Sequence, residues 1–126
     1  MKGLVDTSVF IAREAGRPLE SLPDEPAVSV ITLAELHLGV VRARGAQSRA
    51  RRLRTVGRVE REYEAIPIDA EVARIFASIS GEARAAGRRP RVMDLWIAAT
   101  GVRHGLVVFT QDVDFDGIPQ VKVQRV

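Results

Sequence analysis

The chain has 126 residues, 46% of them hydrophobic, and a formal net charge of +3. That length suits one domain with its own core, so a single domain spanning residues 1–126 is the expectation. The absence of cysteine excludes disulfides, thiolate zinc sites and a cysteine nucleophile together, and fits a reducing interior. No run nears the roughly 18 apolar residues of a membrane span, and the amino terminus lacks the layout of a secretion signal. A soluble, cytoplasmic protein is expected.

The first strand is read over Lys2 to Val5, followed by a helix from about Ser8 to Glu14 with Thr7 or Ser8 as its cap. Val28 to Ile31 reads as a second buried strand. Thr32 then opens a helix whose apolar positions Leu33, Leu36, Val40 and Val41 keep helical spacing to about Arg44, with Gly45 as a stop. An amphipathic stretch from Ala46 to about Tyr63 carries Leu53, Val56 and Val59 on one side and arginines around them. Ala65 to Ile68 is a short strand, placed at an edge by Pro67. Asp69 caps a helix bearing Val72, Ile75, Phe76 and Ile79. After a basic loop at Arg88 to Arg91, another helix runs from Val92 to His104, ended by Gly105. Leu106 to Phe109 is the clearest buried strand, and Val121 to Val126 alternates like an edge strand. Strands alternating with helices predict an α/β fold, with a central, mainly parallel sheet covered on both faces.

Charge is unevenly placed along these elements. Arg42, Arg44, Arg49, Arg51, Arg52, Arg54, Arg58 and Arg61 crowd one stretch, and Arg84, Arg88, Arg89 and Arg91 another. Arginine's planar fork of donors matches phosphate oxygens, so such stripes are the footprint of a nucleic-acid binder; a solvated helix face is the competing reading. An aromatic content of 5% argues against recognition by stacked bases.

Four acids stand where an apolar strand ends or a helix begins: Asp6, Glu35, Asp94 and Asp112. If the strands are parallel neighbours, these residues converge on the edge where open α/β sheets bind ligands. Each also has a structural reading. Asp6 suits a helix N-cap, and Thr32-Leu33-Ala34-Glu35 matches a capping box. Asp94 sits where a helix dipole favours an anion, although its apolar neighbours Met93, Leu95, Trp96 and Ile97 imply burial and a need for a partner. Asp112 and the nearby Asp114 are common turn formers. Together, however, they repel: two unit charges about 4 Å apart cost roughly 4 kcal/mol at an effective dielectric near 20. A cation is called for, and oxygen-only donors suit Mg²⁺ or Mn²⁺. Glu14 and the other acids fall on loops or polar faces. His37 and His104 fit poorly as ligands, and Trp96 reads as core.

The segments Leu4-Val5-Asp6-Thr7-Ser8, Thr32-Leu33-Ala34-Glu35-Leu36, Asp94-Leu95-Trp96-Ile97-Ala98-Ala99 and Val108-Phe109-Thr110-Gln111-Asp112-Val113-Asp114-Phe115 resemble, in order and spacing, the four signature segments of PIN-domain nucleases. VapC-type toxins of type II toxin–antitoxin pairs are the particular likeness, and it runs from Leu4 to Phe115. The resemblance implies an α/β/α sandwich and a divalent-metal endoribonuclease that hydrolyses RNA with a metal-activated water. It also implies a small VapB-like antitoxin as inhibitor and a homodimer. Carried over by position, Asp6, Glu35, Asp94 and Asp112 match the acidic quartet, with Asp114 as a further candidate ligand because the last motif varies. Two other readings compete. A non-catalytic RNA-binding module would keep the arginines without cutting. A phosphoaspartate-type phosphatase or receiver domain needs a lysine near the phosphoryl group, and this chain has only Lys2 and Lys122.

Overall fold

The computed structural model describes all of residues 1–126. Its elements follow as β1 (Lys2–Val5), α1 (Thr7–Glu14), β2 (Glu25–Ser29), α2 (Val30–Arg42), α3 (Ala46–Glu62), β3 (Glu64–Ile66), α4 (Ala70–Ala85), α5 (Val92–His104), β4 (Val107–Thr110) and β5 (Val123–Arg125), with a 3₁₀ turn at Val113–Gly117. The strands form one sheet in the order β3-β2-β1-β4-β5, and every pairing is parallel.

Successive strand residues point to opposite faces, so each strand feeds two cores. Leu4, Ala27 and Val108 enter a cluster with Val72 and Ile79 of α4 and Leu95 and Ile97 of α5. Val5 and Val28 enter another with Val9 and Phe10 of α1, Leu36 of α2 and Val56 and Val59 of α3. The result is an α/β/α sandwich. Phe76 and Trp96 stack with centroids 3.8 Å apart, which accounts for Trp96 as packing. A Cβ on Gly101 would lie 3.1 Å from the Leu106 carbonyl oxygen and from Val108 Cγ2, so glycine lets α5 settle on β4 without pushing either aside. Gly105, at φ 64, supplies the left-handed residue that ends α5. No helix is long and apolar enough to cross a membrane.

Several local readings shift. The second strand ends at Ser29, whose side chain accepts from Ile31 N–H and caps α2. Thr32 is therefore buried inside the first turn, and Val30 and Ile31 are helical despite their β-branched shape. α2 stops at Arg42, and Gly45 instead opens α3 at φ 89. The edge strand β3 ends before Pro67. Glu14 is not on a polar face: its side chain is 10% exposed and meets Arg52 at 2.9 Å.

The strand order also positions the ligand edge. From the central β1 the chain builds outward through β2 and β3, then returns to add β4 and β5 on the other side. The switch point lies between β1 and β4, outside whose carboxyl ends open sheets form their crevice. Asp6 follows β1 there, tied by its N–H to the Phe109 carbonyl at 2.9 Å, and Asp112 follows β4 by two residues.

Candidate active site

A cleft of about 250 Å³ opens at this switch point, lined by Asp6, Thr7, Ser8, Glu35, Asp94 and Asp112 among others. All four predicted acids thus reach one space from four different segments. The hydroxyls between them set their orientation. Asp6 Oδ2 accepts from Ser8 Oγ at 2.7 Å, from Thr110 Oγ1 at 2.9 Å and from Ser8 N–H at 3.3 Å. Asp6 is the α1 cap, in place of Thr7 or Ser8, and capping uses one oxygen only. Thr110 Oγ1 in turn accepts from Asp112 N–H at 2.9 Å, locking the β4 end to the β1 end.

Glu35 makes no capping box. Its Oε1 accepts from Thr7 Oγ1 at 2.6 Å, and its Oε2 accepts from Arg91 at 3.0 Å. The glutamate is therefore aimed across the cleft toward α1 and α5, away from its own helix terminus. Arg91, just ahead of α5, also stands 3.8 Å from Asp94 Oδ2, which makes it the resident counter-ion of the site. Its value lies in geometry visible only after folding. Ser8 and Arg91 were both missed as site residues by sequence reasoning, and only their adjacency to Asp6 and Asp94 pointed to them.

Asp94 is the most strained member. Its side chain is 4% exposed, and its Oδ2 is buried with no hydrogen-bond donor in reach. Burial pushes its carboxyl up to about 7, and the charges of Asp6, Asp112 and Glu35 add to that while Arg91 opposes it. A buried acceptor left unpaired is costly and rare in native structures. One carboxylate oxygen from each of Asp94, Asp112 and Asp114 lies within 4.8 Å of the others, a spacing that can hold a metal ion. Asp114 joins because the 3₁₀ turn, capped by Asp112 Oδ1 accepting from Asp114 N–H at 2.9 Å, curls it back. Asp6 and Glu35 line the same cleft outside that tight group. An all-oxygen, partly buried set missing one positive partner fits a hard divalent cation.

Fold and cleft together define an α/β/α protein whose ligand site is an acid cluster with the spacing of a metal site. Residues 3–121 match the PIN domain model. The chain is 45% identical to Ribonuclease VapC5 of Mycobacterium tuberculosis, with 98% of this chain and 95% of the relative covered. To Ribonuclease VapC4 of the same organism it is 44% identical, over 97% and 95%. Its structure superimposes on a chain of the VapBC-5 toxin–antitoxin crystal structure from Mycobacterium tuberculosis with TM-score 0.87 and 40% identity, covering 99% and 97%. The chain belongs to the PIN-domain family.

Proposed function

We propose that this chain is the endoribonuclease toxin of a type II toxin–antitoxin pair, acting as a single domain in the cytoplasm and held in check by a VapB-like antitoxin in an oligomeric, homodimer-based assembly. The observation that carries the reading is the buried, unpartnered oxygen of Asp94 among converging carboxylates at the switch point of the sheet. Kinship to named VapC ribonucleases supports the substrate class. The phosphoaspartate alternative loses its lysine: Lys2 lies at the opposite end of β1, bonded to Glu64 at 3.2 Å, and Lys122 precedes β5.

Asp94, Asp112 and Asp114 would hold a divalent cation, Mg²⁺ by preference or Mn²⁺, with Asp6 completing the anionic wall. Bound there, such an ion lowers the pKa of water and neutralises charge on a phosphodiester. The chain's own residues do the positioning. Ser8 and Thr110 fix Asp6 through one oxygen and leave the other without a side-chain donor. Glu35, held between Thr7 and Arg91, would receive the attacking water and accept its proton as the water oxygen bonds to phosphorus; the bond to one ester oxygen breaks, and that oxygen leaves with a proton taken from bulk water. Arg91, hydrogen-bonded to Glu35 and 3.8 Å from Asp94, would pair with a phosphate oxygen of the bound strand.

Purified protein should cut single-stranded RNA with Mg²⁺ or Mn²⁺ present and lose that activity in excess chelator, regaining it when metal is returned. Cutting that continues at full rate in chelator would remove the metal from the mechanism. RNA binding without any metal-dependent cutting would leave the non-catalytic module as the reading.

A further inference from the structure

RNA is a polyanion, and the cleft that cuts it is lined by carboxylates, so the strand needs positive charge on its way in. Two arginine clusters offer it. On α3, Arg52 is taken by Glu14 and Arg58 by Glu62. Arg51 and Arg54 are in no ion pair, but the groove they share with Arg58, Phe10 and Arg13 has no lining residue in common with the acid cleft. The loop between α4 and α5 is placed differently. A depression of about 600 Å³ carries Arg84, Arg88 and Arg89. It runs through Arg88, Arg89 and Pro90 into a second of about 340 Å³, which reaches Arg91 and Asp114. Arg91 also lines the acid cleft, so the surface is continuous from α4 to the metal-ligand candidates.

On the nuclease reading above, we propose that the RNA strand reaches the acid cleft over this loop, its phosphates held by Arg84, Arg88, Arg89 and Arg91, and not along α3. Arg88 Nη1 donates to the Gly117 carbonyl at 2.9 Å, which pins the loop to the 3₁₀ turn that carries Asp114. Arg84 and Arg89 are exposed and belong to none of the ion pairs of the chain. α5 starts beside them without a side-chain cap, which puts the positive end of its dipole on the same path. No aromatic side chain lines either depression, so the grip is on the backbone and tolerant of sequence.

The test uses Asp94→Asn protein, so that RNA is bound and not cut, and a labelled unstructured oligoribonucleotide followed by fluorescence anisotropy across a salt series. Adding Arg84→Gln with Arg89→Gln should weaken binding and reduce the slope of log affinity against log salt by about 1.4, at about 0.7 per lost phosphate contact. Adding Arg51→Gln with Arg54→Gln on α3 should leave that slope where it was. Equal melting temperatures establish that both variants fold. The opposite pattern, or a parent that binds no RNA, overturns the proposal. So does a loop variant that keeps its RNA affinity and loses binding to poly-glutamate, which would mark a protein-docking surface. Failure of the wild type to cut RNA would sink the nuclease reading without changing this measurement.

Discussion

Two acids near opposite ends of α1, Glu14 and Asp94, behave as opposites. Glu14, at the carboxyl end of α1, has Thr55 donating to Oε1 at 2.8 Å and Arg52 2.9 Å from Oε2. The Arg52 N–H is not aligned on that oxygen, so the pair is coulombic, but the charge is answered. Asp94 is more deeply buried, its Oδ2 meets no donor, and its nearest cation stands 3.8 Å away among further carboxylates. A buried acid that serves stability is paired, and an unpaired one in a cleft is a candidate for ligand binding. Glu14 belongs to the scaffold; on the proposed function, Asp94 belongs to the site.

The sharpest break in that contrast is catalytic. Asp94→Asn should lower cleavage by at least about 10²–10³-fold, the loss typical when a pre-organised electrostatic partner is removed, and leave the circular dichroism spectrum unchanged. Normal turnover by this variant would place the chemistry elsewhere. Glu14→Ala should do the reverse, costing about 1–3 kcal/mol in urea unfolding because Thr55 loses its acceptor and Arg52 its counter-charge, with little change in cleavage per folded molecule. Equal stability with wild type would show that the pair contributes nothing.

pH probes Asp94 more finely. Asp94 is raised to about 7 by burial first and by neighbouring acids second. A carboxyl raised on folding binds its proton more tightly in the native state, so its stability contribution is complete below about pH 4 and is lost as pH climbs through about 7. In chelator, metal-free protein should lose about 2 kcal/mol over that window, a figure reduced because the cleft opens to water. The Asp94→Asn variant should lack the slope. A wild-type stability curve that is flat between those pH values, or rises, would mean that Asp94 is solvated or paired in solution. Saturating divalent metal should flatten the slope, since a ligand of the folded state stabilises it.

Much of this was legible beforehand. The alternation of apolar runs with helical spacing predicted the layered α/β fold, and Asp6, Glu35, Asp94 and Asp112 were marked because each adjoined an element boundary. Other features were not legible because their physical cause is not local. The capping-box pattern at Thr32 to Glu35 is a genuine sequence match, but β2, paired with β1 to Ala27 and with β3 to Ser29, ends there, so the helix starts earlier and Glu35 lies beyond its first turn. Glu14 looked solvated until α3 folded over α1. Asp114 was a further candidate ligand in the sequence, but only the 3₁₀ turn brings its oxygen within 4.8 Å of Asp94 and Asp112.

Sequence alone determined which residues carry charge, which runs bury, and the order in which strands and helices follow, because these depend on composition and on periods of two and about 3.6 residues. Strand order, and with it the switch point, was decided only by tertiary packing, since pairing β1 with both β2 and β4 is a choice among long-range contacts. That choice brings an acid at position 6 and others beyond position 90 into one cleft, and sets Arg91 against Glu35 across 56 residues of chain.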